Sequence, residues 1–354
     1  ACETACPSGV EFGKVMEGAR SQIEAARPRS LFERVVRAVA FRVLLPRPRI
    51  LAAFVRFSVL SKRLGLAWML RAIGGRVGIA RPLAGLLELV PDRASSRPLP
   101  AVFPAIGTRR GRVALFTGCV MRAAFADTNA ATARVLARNG FEVVVPERQI
   151  CCGALHAHAG QRDDARLLAR RNIAWLDGLD VDAFIVNAAG CGAALKEYGW
   201  LLKDDQRWRE RADRFASRVK DASEFLADAG LAVPPGPLSV RVAYDDPCHL
   251  IHGQKIREQP RALLAAIPDL QVVPLVEADW CCGSAGTYNV TQPELSAKLL
   301  ERKVDHVARS GAELVVTANP GCQMQIAAGL HAARVPVRVI HLMDLLDRAY
   351  AGIR

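Results

Sequence analysis

Eight of the ten cysteines in this chain fall into two copies of one pattern. The first copy reads Cys119, then Cys151-Cys152-Gly153, then Gly190-Cys191; the second reads Cys248, then Cys281-Cys282-Gly283, then Gly321-Cys322. The intervals are 31 and 38 residues in the first copy and 32 and 39 in the second. Four thiolates per copy is the ligand count of a tetrathiolate zinc ion or of a cubane 4Fe–4S cluster. Structural zinc sites draw on short loops with Cys-x2-Cys spacing, which neither copy has. Spacings this long need a preformed fold, and an adjacent Cys-Cys pair suits an object larger than one small ion. The pattern therefore favours an iron–sulfur cluster in at least one copy, with zinc as the open alternative. Cysteines serving as small hydrophobes are disfavoured by the duplication, and disulfides by the reducing compartment expected of a chain with no recognisable secretory segment.

Other polar groups cluster nearby. His156 and His158 follow the first Cys-Cys-Gly, and His249 and His252 follow Cys248. They could ligate a metal or tune a cluster by hydrogen bonding, but neither pair recurs in the other copy. Lys196 and Glu197 read as surface groups.

The elements that must position these sulfurs follow from the hydrophobic pattern. Strands are predicted at 112–116, 142–145 and 183–187 in the first copy, and at 240–244, 271–275 and 314–319 in the second, with helices around 127–138 and 161–176. Alternating strands and helices imply a parallel sheet with right-handed crossovers. Each cysteine site falls just after a strand, and in open parallel sheets ligands gather at the carboxyl ends of the strands. The expected fold is α/β: two tandem, pseudo-symmetric cysteine-rich repeats of parallel βα units, preceded by an α-helical connector.

The chain opens on Cys2-Glu3-Thr4-Ala5-Cys6-Pro7 without an initiator Met. Cys-x3-Cys-Pro is the second half of the bacterial ferredoxin run, so residues 1–26 read as the C-terminal remnant of a ferredoxin-like domain in an N-terminally truncated chain. Residues 27–110 form the connector and a Pro/Ser/Arg-rich linker, 111–236 the first repeat and 237–354 the second. The net charge is +13, and much of it lies between Arg27 and Arg93, where 14 Lys/Arg face 3 Asp/Glu. Basic residues interrupt each apolar run there before the roughly 18 residues a membrane span needs. Basic amphipathic helices suit packing on a partner subunit or peripheral contact with an anionic membrane surface. Nucleic acid is not expected, because no binding motif accompanies the charge. The chain also carries no Gly-x-Gly-x-x-Gly, Walker loop or Cys-x-x-Cys-His haem site, so an organic redox cofactor would sit on another polypeptide.

The twin Cys…Cys-Cys-Gly…Gly-Cys repeats, or CCG domains, resemble those of the cysteine-rich component of heterodisulfide reductase and its relatives, and more closely the iron–sulfur subunits of glycolate oxidase (glycolate dehydrogenase). The likeness is carried by 127–136, Gly190-Cys-Gly-Ala, Lys196-Glu-Tyr-Gly199, Cys281-Cys-Gly-Ser-Ala-Gly-Thr-Tyr288, Val316-Thr-Ala-Asn319 and Gly321-Cys-Gln323, with Cys2 to Val10 similar to the end of a second ferredoxin motif. It implies an electron-transfer subunit of a multi-subunit enzyme oxidising glycolate to glyoxylate, with FAD on partner subunits and a quinone-type acceptor. It also implies a cytoplasmic place, with peripheral contact on the inner membrane face as one option, and no catalytic residue in this chain. By the matched motif, Cys2 would ligate one ferredoxin-type 4Fe–4S cluster and Cys6 the other; both clusters would be incomplete here. The alternatives are a related glycerol-3-phosphate or lactate dehydrogenase subunit, or a zinc-binding scaffold. One departure stands out: heterodisulfide reductase repeats close with Cys-x-x-Cys, whereas Ala194 and Gln325 hold those final positions here. That tells against a noncubane cluster.

Overall fold

A computed structural model describes residues 2–66, 69, 87 and 89–352, the side chain of Cys2 excepted. The glycines near Gly74 and part of the apolar stretch from Leu64 to Leu70 therefore lie outside the described residues.

Two sheets carry the cysteine repeats. The first holds β1 (Val102–Phe103), β2 (Gly111–Phe116), β3 (Phe141–Val144), β4 (Ala183–Val186) and β5 (Val219–Asp221) in the order β1-β3-β2-β4-β5. The second holds β6 (Val240–Tyr244), β7 (Leu270–Val273), β8 (Leu314–Thr317) and β9 (Arg338–His341) in the order β7-β6-β8-β9. Every pairing is parallel except that of β1 with β3. In both sheets the first strand of the repeat lies between the second and the third. The chain thus reverses its direction of winding there, which is where ligand crevices form in open parallel sheets.

The central strands are the apolar runs Ala-Phe-Ile-Val and Leu-Val-Val-Thr, buried at every position, as strands covered on both faces must be. Three short strands escape the sequence pattern. β5 (Val-Lys-Asp) and β9 (Arg-Val-Ile-His) are too short and too polar to show a period. β1 lies inside the stretch read as linker and pairs antiparallel with β3, closing the edge of the sheet.

The two sheets share a core. One apolar cluster runs from Val113, Leu115 and Ile185 of the first to Val242, Val316 and Leu342 of the second. The C-terminal helix Leu342–Ala351 lies against helix Ala126–Arg138 of the first repeat, tied by Thr128 to Asp344 at 2.8 Å and by Arg134 to Asp347 at 2.6 Å. His341 Nε2 donates to the carbonyl of Asn187, at the end of β4, at 2.7 Å.

The N-terminal helices cover the first repeat. Helix Leu31–Ala38 is capped by Ser30, which accepts from Glu33 N. The chain breaks at Pro46, and Pro48 opens helix Pro48–Arg63 at a position where its missing N–H costs nothing. That helix seats Leu51 against Cys119, Ala123, Cys151 and Leu168. Among the described residues no helix is long and apolar enough to cross a membrane.

Candidate metal centre

Each sulfur site is built where three segments leave adjacent strands, with Cys191 and Cys322 in the first turns of helices Ala189–Lys196 and Pro320–Ala332. Cys119 follows β2, Cys151-Cys152 follow β3 and Cys191 follows β4; Cys248, Cys281-Cys282 and Cys322 follow β6, β7 and β8. Because those strands are neighbours, residues far apart in sequence converge. Cys119 Sγ lies 3.5 Å from Cys151 Sγ, Cys152 hydrogen-bonds to Cys151 and Cys191, and the first four sulfurs form one group. In the second, Cys281 hydrogen-bonds to Cys248 and Cys282, and Cys282 to Cys322.

The glycine of each Cys-Cys-Gly is conformationally required. Gly153 has φ +88° and Gly283 φ +91°, a region costly for any residue with a Cβ. The turn aims the following N–H back at sulfur: Gly153 N donates to Cys151 Sγ at 3.5 Å and Gly283 N to Cys281 Sγ at 3.3 Å. Each copy therefore repeats one local device.

Buried polar side chains brace the loops. Asn172 accepts from Ile150 N and donates to the carbonyl of Cys151, each at 3.1 Å. Tyr198 donates to the carbonyl of Cys152 at 2.8 Å and accepts from Asn172 at 3.1 Å. In the second copy Ser296 donates to the carbonyl of Gly283 at 2.8 Å. Lys303, buried against Asp245 at 3.0 Å, also donates to the carbonyls of Glu277 and Ala278 just before Cys281. Sequence reasoning missed Asn172, Ser296, Asp245 and Lys303 because nothing in their spacing marks them. A lysine between the charged residues Arg302 and Asp305 gives no signal of burial in the sequence.

The two groups face each other across the contact between the sheets. A cavity of about 150 Å³ is lined by Cys119, Cys151, Cys152 and Cys191 from the first copy and by Cys248, Cys282 and Cys322 from the second. The loops are stitched together there. Asn319 accepts from Gly190 N at 3.3 Å and donates to Cys322 Sγ at 3.4 Å, and Ala189 N donates to the carbonyl of Ala318 at 3.1 Å.

The thiols cannot all ionise side by side. Hydrogen bonds from Cys151 and Cys191 hold Cys152 far below the usual thiol range, while Cys151 and Cys191 are pushed well up by the neighbours they serve and by burial. Likewise Cys281 is held low by Cys248 and Cys282, and those two are driven up. A cationic guest removes that conflict by making every sulfur a thiolate. Among the described residues no three or more His, Cys, Asp or Glu side chains form a group that could hold a single metal ion. The sulfurs instead follow one another in a chain of contacts. A donor set of four sulfurs, largely buried, fits an iron–sulfur guest by its chemistry.

The histidines divide. His156 is buried, with its Nε2 2.8 Å from the carbonyl of Phe41. His252 lies 2.8 Å from Thr4 Oγ1 and 3.3 Å from the carbonyl of Asp279. His249 Nδ1 stands 3.5 Å from Cys248 Sγ, its Nε2 lies 3.0 Å from His158 Nε2, and His158 Nδ1 lies 3.0 Å from Glu17. Burial, then the neighbouring His158, pushes His249 down to about 4. Glu197 and Lys196, read as surface groups, are not so: Lys196 is held by Glu224 at 2.6 Å, and Glu197 is half-buried in a cavity wall. Their helix carries Cys191 in its first turn. Cys6 is half-buried beyond helix Cys2–Ala5 and lines neither cavity that meets the sulfurs. The side chain of Cys2 is outside the described residues.

Comparison with known proteins bears on these sites. The model of the cysteine-rich domain family named CCG matches residues 113–196 and 242–327, one match over each sulfur group. The "probable glycolate oxidase iron-sulfur subunit" of Bacillus subtilis is 40% identical over 99% of this chain and 80% of its own length. The "glycolate oxidase iron-sulfur subunit" of Escherichia coli is 32% identical over 98% of this chain and 79% of its own. Among solved structures, a hypothetical protein from Helicobacter pylori superposes with a TM-score of 0.51 at 12% identity, covering 73% of this chain and 51% of that one. That likeness is one of fold.

Proposed function

We propose, from the premise that this chain belongs to the family of glycolate oxidase iron–sulfur subunits, that it carries electrons within a glycolate-oxidising complex. The observation that carries the reading is one cavity lined by all four cysteines of the first group and by Cys248, Cys282 and Cys322 of the second. Cys119, Cys151, Cys152 and Cys191 would hold one cluster, and Cys248, Cys281, Cys282 and Cys322 the other. A bound iron–sulfur cluster supplies reversible one-electron chemistry. The chain's own part is positional: Tyr198 and Asn172 fix the first Cys-Cys loop, Lys303 and Ser296 the second, and Asn319 joins the two sites. Flavin on partner subunits would take the hydride from glycolate, and a quinone-type acceptor would receive the electrons. By the ferredoxin resemblance, Cys2 and Cys6 would each serve a further cluster. We also read the two repeats as pseudo-symmetric copies of one unit, a reading that the shared strand order supports.

The basic connector would dock the subunit. Helices Leu31–Ala38 and Pro48–Arg63 expose Leu31, Phe32, Phe57 and Leu60, with arginines interleaved, the composition of a peripheral anchor on an anionic lipid surface. Pelleting with anionic vesicles that declines as salt rises would support this, and failure to pellet at low salt would assign the face to a partner subunit.

The test of the main reading is anoxic purification of the complex with iron and acid-labile sulfide measured per chain. Both should be present, and Cys152→Ser and Cys282→Ser should each remove one site's share. Background iron in the unmutated chain would refute it, and near-stoichiometric zinc without sulfide would establish a scaffold instead.

A further inference from the structure

A second cavity, of about 210 Å³, is lined by Cys152 of the first sulfur group and Cys248 of the second. The rest of its wall differs in kind from the sulfur cavity: it includes Glu17, His158, Ala194, Glu197, Trp200 and His252. Glu197 sits where helix Ala189–Lys196 ends. Among the described residues its carboxylate accepts no hydrogen bond and joins no ion pair. Burial, then the charge of Glu17, pushes that carboxyl up to about 7. A half-buried carboxyl without a partner costs folding energy, and one poised near neutrality is suited to proton transfer.

We propose that this cavity binds the ring of a quinone-class acceptor and that Glu197 delivers its protons. The proposal rests on the reading that this subunit passes on the electrons of glycolate oxidation, and it adds where and how they leave. The cavity is smaller than the roughly 300–1,000 Å³ of drug-sized sites, so it takes a single ring and leaves an isoprenoid tail outside. Trp200 also lines the cavity, with Arg162 at 4.6 Å and Lys14 and Lys203 each at 5.7 Å from its ring centroid. The balance closes: glycolate gives up two electrons and two protons to become glyoxylate, and the quinone takes up two of each. Both quinone C=O bonds lose their π component, two O–H bonds form, and the ring becomes aromatic. Glu197 gives one proton to a quinone oxygen, is reprotonated from water at the cavity mouth, and gives the second. A carrier that takes only electrons has no use for such a group. Facing Glu197 are Glu3, Lys14 and Glu17 from the N-terminal helices, His158 from helix Ala154–His158, and His249 and His252 from the π-helical turn after Cys248. Because the protonated carboxyl is the active form, quinone reduction should fall as pH rises through neutrality.

The test uses the complete flavin-containing complex with Glu197→Gln and, separately, Ala194→Phe, which fills the cavity. Binding of a short-chain ubiquinone analogue to the oxidised complex is measured by titration calorimetry. Glycolate-dependent reduction of the analogue is compared with that of ferricyanide, which takes no proton, and iron and sulfide per chain verify that the sites are intact. Ala194→Phe should weaken analogue binding by at least about tenfold, as displaced ring contacts do. Glu197→Gln should bind normally, lower kcat for the analogue about 100-fold, the scale of general-acid catalysis, and lose the decline above neutral pH. Both variants should keep the ferricyanide rate. Unchanged binding in Ala194→Phe would place the quinone elsewhere, and Glu197→Gln losing both rates together, or neither, would remove its proton role. An unmutated complex that reduces ferricyanide but neither binds nor reduces the analogue overturns the proposal and leaves the electron-transfer reading standing. Reduction of neither acceptor would overturn that reading itself.

Discussion

Replacing Gly283 by alanine should damage the protein more than the same change at Gly153, although the two glycines play one role in duplicated loops. Both have positive φ, at +91° and +88°, so alanine at either pays a strain of about 1–2 kcal/mol. The surroundings differ. A Cβ at Gly153 would meet Ala165 at 3.4 Å, ordinary contact, whereas at Gly283 it would stand 2.5 Å from the carbonyl oxygen of Ser296. That oxygen belongs to helix Pro293–Arg309, beneath the loop, and cannot swing aside. Overpacking of this kind costs about 1–3 kcal/mol more. The expected losses are about 1–2 kcal/mol for Gly153→Ala and about 2–5 kcal/mol for Gly283→Ala. Against a typical total of about 5–15 kcal/mol the difference is measurable. Since one core joins both sheets, anoxic urea unfolding should report each loss globally, while iron per chain should fall chiefly at the site whose loop was altered. Equal losses, or a larger one at Gly153, would refute the steric argument.

Three further outcomes follow from the buried polar groups. Lys303→Met leaves the Asp245 carboxylate, only 2% exposed, without its cation and should cost about 3–5 kcal/mol in urea unfolding; the double change with Asp245→Leu should recover much of it, and no recovery would contradict the pairing. Tyr198→Phe strands the Cys152 carbonyl and should cost about 1–3 kcal/mol, with iron lost from the first site and not the second. Burial pushes His341 down to about 4 from 6.5, so between those values the folded chain binds fewer protons than the unfolded one. Its contribution is whole above pH 6.5 and is lost as pH falls through about 4, a ceiling of about 3 kcal/mol. Asp221 and Asp344, each raised to about 6 by burial, act in the opposite sense over part of that range. The gap in stability between the unmutated chain and His341→Gln therefore isolates the histidine, and it should narrow as pH falls; a constant gap would refute the assignment.

What could be read from sequence was whatever the backbone dictates locally. The six strands predicted before the cysteines are present because each is a short run dominated by apolar residues between polar or turn-forming segments. The observed β6 spans the predicted 240–244, and the others shift by a residue or two. The sulfur groups followed from strand adjacency. Side-chain burial was not legible in the same way. Glu197 and Lys303 carry charges that composition assigns to the surface, and only tertiary placement makes one a cavity wall and the other a buried anchor. His156 follows the first Cys-Cys-Gly closely, as His249 follows Cys248, yet its ring turns to the carbonyl of Phe41, on the helical turn Val39–Leu44 that sequence could not dock.

The shared core gives the duplication its use. Two independent repeats, each with a sulfur group, would leave the distance between groups to a flexible linker. Here the C-terminal helix crosses back onto the first repeat, and Asn319 spans the segments that carry Cys191 and Cys322. The cavity between the groups is consequently set by packing, which resists displacement far better than a tether. A rigid separation is what one-electron transfer between neighbouring sites requires, and it also keeps Cys152 and Cys248 together in the wall of the Glu197 cavity. Sequence order alone would suggest two beads on a string; the interdigitated core makes them one conduit.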